Sequence, residues 1–332
     1  MVEKAHYQPE GLRMGIRVLM VGRRPSIALN ELRRYWGEVD VAKAPKTPFK
    51  RYDLVVAQEP SRRCGLPAYL HASLYGERWI CEVHGEYLQY LKLPELALAK
   101  WLLRRADAVR AVNKGIAYAL KRFGVKNVLY APSVYVNTEL FHPLTPHEKR
   151  ERLVLFVGRF VFEKGFDLLF KSFKVLLKKM PDAKLRLIGR GPEANRILGY
   201  VKSLELGGRV ELIGWLPQSE LVKHYNEASV YACTSKFEGG PRTLFEACAC
   251  ETPFVSTPVG VVKDVATNGK EGFITEGDPL LFAKRLETLL NDVKLREEMG
   301  KQARMLVLKH FEWTKAVKRY ALTYIDFLKR FK

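Results

Sequence analysis

Short apolar runs alternate with helical patterns along most of this chain of 332 residues. The runs are IRVLMV, DLVVA, RWICEV, AVRAV and NVLYA in the first half, and LVLFVG, KLRLIG, RVELIG, SVYAC and PFVST in the second. Apolar strands separated by helices are typical of parallel sheets, because crossover helices bury both faces of such a sheet. The alternation therefore predicts an α/β protein, and Glu38 and Asp40 fit the exposed edge of one further strand.

Two domains are expected from the length and from one break in the pattern. The segment HPLTPHEKRER combines two prolines with a cluster of charges and indicates a linker. We therefore predict a Rossmann-like domain over residues 1–145 and a second one over residues 146–312. Apolar residues recur at helical spacing in residues 313–332, which predicts a terminal helix.

The five cysteines are odd in number and include no C-x-x-C pair. This pattern argues against a disulfide framework and against a structural zinc site, and it favours a cytoplasmic protein. No segment approaches the roughly 20 apolar residues of a membrane-spanning helix. The apolar run that begins at Ile16 predicts a buried strand rather than a signal peptide. A start at Met14 would leave residues 1–13 as an extension.

The chain is strongly basic, with 56 Lys and Arg against 36 Asp and Glu and a net charge of +20. Residues 1–145 hold 23 basic and 13 acidic residues, so each half carries an excess of ten. Such an excess favours a polyanionic partner, namely a phosphorylated ligand, anionic lipid or nucleic acid, with a solvated surface as the open alternative. Nucleic acid is not expected, because the aromatic residues are not interleaved with basic ones as in RNA-binding proteins.

Residues 88–106 combine apolar and basic side chains in one helical segment. The residues concerned are Leu96, Lys100, Trp101, Leu102, Leu103, Arg104 and Arg105. One interpretation is a helix that rests on the inner face of an anionic membrane, which would make the protein peripheral. The other is an ordinary domain helix whose apolar residues belong to the core.

The stretch FEGGPRTLFEA sets Glu238 and Glu246 eight positions apart, with Pro241 between them. Proline suits the first position of a helix, so Gly240 is the expected cap. Glu246 would then lie roughly 7–8 Å further along the axis than Glu238, at ~1.5 Å per residue. Carboxylates spread in this way suit an elongated ligand held at two places rather than hydrolysis at one centre, and the helix start between them can bind an anion.

Two further loops in the second half follow predicted strands. Gly158-Arg159 and Lys164-Gly165 place two cations at the carboxyl end of a strand, where parallel sheets bind ligands, and this favours an anion. The segment LIGRGPEANR has the form of a dinucleotide fingerprint, but the acidic Glu211 falls inside the next strand. A nicotinamide dehydrogenase is therefore a remote alternative. No Asp-x-Asp occurs and the histidines lack metal-ligand spacing, so no metal is expected.

Five motifs over residues 153–275 resemble, in order and spacing, the second domain of family four glycosyltransferases of the GT-B fold. They are VGRFVFEKG, LIGRGPE, VELIGWLPQSEL, YACTSKFEGGPRTLFEACACETPFVSTPVGVVKDV and GKEGFITEGDP. The E-x7-E signature of that family corresponds to Glu238 and Glu246. The resemblance continues more weakly through VHG, RADAVRAVN and PSVYVNTELFHP in the first half, so it covers most of the chain.

The resemblance implies two Rossmann-like domains whose parallel sheets face each other across a cleft, with a C-terminal helix that crosses back to the first domain. It also implies a retaining glycosyltransferase that moves a hexose-type sugar from a nucleotide-diphosphate sugar to an acceptor hydroxyl. The second domain would bind the donor. The first would select the acceptor, which is expected to be a glycan, a lipid-linked molecule or a small molecule. No cofactor is expected beside the donor substrate.

The same resemblance assigns roles to residues on both sides of the cleft. Glu246 would bind the ribose hydroxyls, and Glu238 would meet the transferred sugar. Arg159 and Lys164 would hold the diphosphate, and His84 would contact the donor sugar from the first domain. The other implied contacts lie at the helix start, beside the base and in the acceptor loop: Gly239, Gly240, Arg242, Thr243 and Leu244; Gly214 and Trp215; and Gly22.

The chain departs from the family pattern at two places. Gly22 is followed by Arg23 and Arg24 where the family has a glycine-rich loop, and Asn137 stands where aspartate is common. Two related alternatives stay open, namely a sugar-nucleotide epimerase of similar fold, which needs no acceptor, and a catalytically silent sugar-nucleotide binder. The presence of both signature carboxylates argues against the silent binder.

Overall fold

The computed structural model describes residues 15–22, 28–43 and 46–331. Its first sheet consists of β1 Ile16–Val21, β2 Gly37–Ala42, β3 Leu54–Ala57, β4 Arg78–Val83, β5 Ala108–Ala111 and β6 Val128–Tyr130. Its second sheet consists of β7 Glu151–Val157, β8 Lys184–Ile188, β9 Val210–Ile213, β10 Ala228–Cys233, β11 Phe254–Ser256 and β12 Gly272–Ile274. The spatial orders are β2-β1-β3-β4-β5-β6 and β12-β11-β10-β7-β8-β9, and the paired strands are parallel. The prediction of an α/β protein with two parallel sheets is therefore confirmed.

All ten predicted apolar runs contain a strand, and the two remaining strands lie at sheet edges. The expectation for Glu38 and Asp40 is confirmed, because β2 is an edge strand and Lys50 pairs with both carboxylates. Strand β12 was not predicted as a strand, since it has only three residues. The extension ahead of Met14 and the pair Arg23-Arg24 lie outside the described residues.

Helices cover the sheets on both faces, as parallel strands require. Those of the first half are α1 Leu29–Trp36, α2 Gly65–Tyr75, α3 Leu93–Arg105 and α4 Lys114–Arg122. Those that follow are α5 Phe166–Leu177, α6 Ala194–Ser203, α7 Gln218–Glu227, α8 Arg242–Ala249, α9 Val262–Val265, α10 Pro279–Asn291, α11 Val293–His310 and α12 Trp313–Lys329. Short 3-10 turns occur at Glu86–Tyr90, His147–Lys149 and Phe162–Lys164.

The terminal helix α12 follows the second sheet in sequence but packs on the first. The indole of Trp36 in α1 lies parallel to the Tyr324 ring at 5.7 Å between centroids, and its Nε1 donates to the carbonyl of Ala321 at 3.2 Å. The start of α12 is fixed by the amide of Trp313, which donates to the carbonyl of Val136 at 2.9 Å. The expected helix that crosses back to the first domain is therefore confirmed.

Helix α3 belongs to the core of the first domain. Leu102 and Leu103 are completely buried, and the ring of Trp101 packs edge-on against Tyr69 at 5.0 Å. The interpretation of this segment as a core helix is thus confirmed for these leucines, which are not accessible to a membrane. Among the described residues no helix is both long enough and apolar enough to cross a bilayer.

Replacing Trp36 by alanine should lower the free energy of unfolding by about 3–5 kcal/mol, because a fully buried indole between α1 and α12 is lost. Denaturation in guanidinium chloride measures the change. Trp215→Ala is the matched control, since that side chain is 62% exposed and should cost no more than about 0.5 kcal/mol. Equal losses in the two variants would contradict the packing role of α12.

Candidate active site

The loops at the carboxyl ends of both sheets converge on one cleft. His84 follows β4 and Asn113 follows β5 in the first sheet, while Gly158 follows β7 and Glu238 lies in the loop after β10 in the second. The carboxyl ends of parallel strands all open at one edge of a sheet, which is where open α/β sheets bind ligands. Chemistry-bearing residues from both domains are thus brought to a common place.

The backbone just before α8 touches the first domain directly. The side-chain amide of Asn113 donates to the carbonyl oxygens of Glu238 at 3.3 Å and Gly239 at 3.2 Å. A Cβ at Gly239 would lie 1.8 Å from the carbonyl oxygen of His84, so a larger residue does not fit. A Cβ at Gly240 would lie 2.6 Å from a methyl group of Val134. The two glycines therefore permit close contact between the domains.

The carboxylate of Glu246 is almost completely buried within α8. It accepts hydrogen bonds from Nε of Arg242 at 2.9 Å, Nε2 of Gln218 at 3.0 Å and the hydroxyl of Tyr225 at 2.9 Å. Burial raises the pKa of Glu246, and Arg242 with the two neutral donors opposes this shift. The same carboxylate borders a cavity of about 430 Å³, which we call the second-domain cavity.

The loops after β7, β8 and β9 form the rest of the second-domain cavity. Arg159 and Arg190 line it, and the guanidinium of Arg190 lies 5.7 Å from the ring centre of Trp215. Trp215 is 62% exposed, and a Cβ at the neighbouring Gly214 would meet no described atom within 4 Å beyond those of its chain neighbours. The cavity thus combines cations, an exposed indole and a carboxylate, which suit an anion, a flat ring and hydroxyl groups respectively.

The start of α8 borders the same cavity. The helix begins at Arg242, and Pro241 is its N-cap with ψ of 89°, so the predicted cap at Gly240 is wrong by one residue. No side chain of the described residues caps the helix. Among the described residues only the amide of Leu244 has a backbone acceptor in this first turn, the carbonyl of Pro241 at 3.1 Å, and the Leu244 side chain is buried. The amides of Arg242 and Thr243 are therefore the two suited to an anion.

Glu238 and Lys164 contact each other. Nζ of Lys164 donates to Oε1 of Glu238, which also accepts from Oγ of Ser235 at 3.0 Å, and each charged side chain is 16% exposed. Lys164 ends a 3-10 turn, after which Gly165 adopts φ of 64°. A Cβ at Gly165 would lie 2.1 Å from the carbonyl oxygen of Thr234. This close approach fixes Lys164 beside the loop that carries Glu238.

His84 and Gly22 lie on the first-domain side. That side contains a second cavity of about 210 Å³, which we call the first-domain cavity. His84 lines it together with Ser133, whose Oγ lies 3.3 Å from Nδ1 of the imidazole. Gly22 has φ of 146°, and a Cβ there would lie 2.7 Å from the side chain of Gln58, another lining residue. Arg242 lines both cavities, so they are adjacent.

The site contains more positively charged side chains than its two carboxylates can neutralise. Lys164 pairs with Glu238 and Arg242 pairs with Glu246, whereas Arg159 forms no ion pair with any described residue. No group of three or more His, Cys, Asp and Glu side chains is arranged to hold a metal ion within the described ranges. The arrangement as a whole favours a polyanionic ligand over a bound cation.

Several residues around the site were not predicted from the sequence. Gln218 and Tyr225 donate to Glu246. Gln218 lies within the motif VELIGWLPQSEL, which indicated no role for this side chain, and Tyr225 lies outside all five motifs. Arg190 lies in a motif that was matched for its glycines. Asn113 ended the quoted run RADAVRAVN, which was the one available signal for its role between the domains.

Gly239→Ala should lower the free energy of unfolding by about 1–3 kcal/mol, because the added methyl group would overlap the His84 backbone. Chemical denaturation measures the loss. Gly199→Ala is the control, since a Cβ at Gly199 in α6 would meet no described atom within 4 Å outside its own helix backbone and chain neighbours. This variant should be unchanged or up to about 1 kcal/mol more stable. Wild-type stability in the Gly239 variant would argue against the close contact.

Comparison with known proteins places the chain in a family. Residues 137–306 match the family described as Glycosyl transferases group 1, and residues 3–132 match the Glycosyl transferase 4-like domain. The chain is 31% identical over 326 residues to N-acetyl-alpha-D-glucosaminyl L-malate synthase of Bacillus anthracis. This alignment covers 89% of this chain and 84% of that protein. It is 29% identical over 210 residues to D-inositol 3-phosphate glycosyltransferase of Corynebacterium diphtheriae. This second alignment covers 61% of this chain and 49%, about half, of that protein.

A solved structure supports the same assignment at the level of the fold. Alr3699/HepE of Anabaena, in complex with UDP and glucose, superposes with a TM-score of 0.76 at 17% identity, covering 93% of this chain and 99% of that one. The predicted GT-B architecture is thereby confirmed, as is the resemblance to family four glycosyltransferases. The chain belongs to the group 1 family of glycosyl transferases.

Proposed function

We propose that this protein is a retaining, metal-independent hexosyltransferase. It would move a hexose-type sugar from a nucleotide-diphosphate sugar to a hydroxyl group of a glycan or a lipid-linked acceptor. The observation that carries the proposal is the position of Glu246, a buried carboxylate that borders a cavity lined by Arg159 and by the uncapped start of α8.

The chemical groups around the site correspond to the parts of a sugar nucleotide. Trp215 would offer a face for the base, and Glu246 would accept hydrogen bonds from the ribose hydroxyls. Arg159 and the first amides of α8 would bind the diphosphate. Lys164 and Glu238 would meet the sugar end. The spread of carboxylates predicted from the sequence fits this elongated ligand.

The cations also suit a reaction in which a nucleoside diphosphate is the leaving group. As the bond to the nucleoside diphosphate breaks, negative charge develops on the leaving oxygen, and fixed positive groups stabilise it. Arg159, Lys164 and the start of α8 can supply that charge without a metal ion. Lys164 and the helix start are already held in place before the reaction begins.

The acceptor would enter from the first-domain cavity. That cavity adjoins the donor position through Arg242 and His84 and is lined by polar groups such as Ser133 and Gln58, which suit a hydroxyl compound. The names of the relatives refer to inositol phosphate and to malate, and the HepE structure contains UDP and glucose. These names support a nucleotide sugar as donor and a hydroxyl compound as acceptor. A cytoplasmic location is part of the same proposal.

Incubation with a panel of UDP-, GDP- and ADP-sugars tests the function without knowledge of the acceptor. Slow release of nucleoside diphosphate from one donor is the expected result, and NMR of a glycoside formed with a simple alcohol then reports retention. An epimerase would instead convert the sugar within the intact nucleotide. Tight binding with no turnover under any condition would favour the catalytically silent alternative.

Glu246→Ala should weaken the binding of the nucleoside diphosphate by about 1–3 kcal/mol, because hydrogen bonds to the ribose are lost, whereas Glu238→Ala should spare it. Isothermal titration calorimetry measures both. Glu246→Gln keeps the volume of the buried side chain and controls for collapse around Gln218 and Tyr225. Equal losses at positions 238 and 246 would contradict the division of roles.

Lys164→Ala should lower kcat by about 10²-fold, the loss typical of one preorganised donor to a developing anion, with a smaller change in donor affinity. Lys236→Ala is the matched control. Its ammonium lies 3.7 Å from Asp167 and is partly exposed, so kcat should change by less than about threefold.

The same assay run in excess EDTA checks the metal-free mechanism. Turnover by the wild-type protein is expected to persist. A rate that EDTA abolishes and that Mg²⁺ or Mn²⁺ restores would overturn this part of the proposal, whatever the donor proves to be.

A further inference from the structure

The imidazole of His84 rests on a buried carboxylate that the proposed function does not use. Glu82 lies two residues earlier in β4, so both side chains leave the strand on the same side. Oε2 of Glu82 lies 2.9 Å from Nε2 of His84. Oε1 accepts from Nε of Arg110 at 2.9 Å, from the hydroxyl of Tyr320 at 2.7 Å and from the hydroxyl of Tyr324.

The hydrogen-bond partners determine which groups around Glu82 carry protons. Burial alone would raise the pKa of Glu82, but Arg110, His84 and Tyr324 outweigh burial and lower it well below its usual range, so the carboxylate is ionised. Burial and the nearby Glu82 raise the pKa of Tyr320 and Tyr324, so both hydroxyls keep their protons and donate. An ionised carboxylate can only accept. Nε2 of His84 must therefore be the donor to Oε2.

We propose that Glu82 is a positioning residue that holds His84 in its Nε2–H tautomer and directs the lone pair of Nδ1 into the first-domain cavity. The proposal rests on the proposed function, with His84 between the acceptor cavity and the donor position and in contact with the donor sugar, as the family resemblance implies. In the neutral ring one nitrogen donates and the other accepts, so a proton fixed on Nε2 leaves Nδ1 as the acceptor. Oγ of Ser133, 3.3 Å from Nδ1, lies on the side where a substrate hydroxyl would bond.

The terminal helix contributes to this arrangement. Tyr320 and Tyr324 belong to α12, which joins the first domain only after the whole second domain has been traversed. Their two hydroxyls occupy Oε1 together with Arg110, which leaves Oε2 to His84. A carboxylate that accepted a single hydrogen bond could rotate about its Cγ–Cδ bond. The three donors to Oε1 of Glu82 instead hold the plane of the carboxylate fixed. The orientation of the imidazole is thereby set by residues of the first sheet and of the terminal helix.

Nitrogen NMR of the whole chain, labelled with ¹⁵N-histidine and held at about pH 8, tests the tautomer directly. The spectrum contains seven histidines, and the His84 signal is assigned by its loss in His84→Gln. The expected pattern for wild-type His84 is a protonated Nε2 and an unprotonated Nδ1. A proton found on Nδ1 would overturn the proposal without the need for any Glu82 variant.

Glu82→Gln should abolish the tautomer preference and lower kcat for donor hydrolysis by about 10²-fold, the cost of misplacing a reacting group, with KM changed less than threefold. The single variant leaves the buried guanidinium of Arg110 without its carboxylate, which could prevent folding. In that case the double variant Glu82→Gln with Arg110→Met removes both charges and keeps the volume of the two side chains. Ser133→Ala is the control. It should retain the Nε2–H tautomer, because it leaves Glu82 in place.

The measurements separate this proposal from the proposed function. An unchanged tautomer or an unchanged kcat in the folded Glu82 variant would overturn the positioning role. Full activity in His84→Gln would instead refute the role of His84 at the donor, while the tautomer measured in the wild-type protein would still report whether Glu82 orients the ring.

Discussion

The contact between two backbones, at Gly239 in the second domain and His84 in the first, is the constraint on which the candidate site depends. A Cβ added at Gly239 would lie only 1.8 Å from the carbonyl oxygen of His84. The backbones of the two loops are therefore in direct contact. Asn113 secures the contact with two hydrogen bonds, and the rings of Tyr90 and Phe237 extend it by stacking at 4.5 Å. Since β4 and β10 end at these loops, the backbone contact places the imidazole of one domain beside the loop that carries Glu238 of the other.

On the second-domain side, each signature carboxylate neutralises one cation of the site. Lys164 bonds Glu238 and Arg242 bonds Glu246. In the proposed function a diphosphate attracts both cations, and each carboxylate is then free to accept hydrogen bonds from sugar or ribose hydroxyls. Both pairs are partly or largely shielded from water, so breaking either one without a ligand anion would leave a charge poorly solvated.

The sequence was sufficient for most of the strands, but not for contacts between distant residues. Apolar runs predicted the strands because a strand buried on both faces must be apolar throughout. The short edge strand β12 escaped, since three residues carry too little pattern. The helix start was displaced by one residue because proline is tolerated both as a cap and at the first helical position. Gln218 and Tyr225, which bond Glu246, lie on another helix. Arg110, Tyr320 and Tyr324, which bond Glu82, also lie on other elements, and for Tyr320 the separation is 238 residues, so no local sequence pattern predicts these contacts.

The buried ion pair of Glu82 and Arg110 indicates why the terminal helix returns to the first domain. Apolar packing against Trp36 would be enough to attach α12, and a buried ion pair adds little net stability because both groups must leave water. This desolvation cost is offset only if the carboxylate and the guanidinium find hydrogen-bond partners. The hydroxyls of Tyr320 and Tyr324 donate such bonds to Oε1 of Glu82. The beginning of α12 is bonded to Val136, close in sequence to Tyr135, which lines the first-domain cavity. A shift of α12 relative to the first sheet would therefore disturb the cavity wall and the carboxylate beneath His84 together, so the helix that joins the domains also holds the geometry of the imidazole.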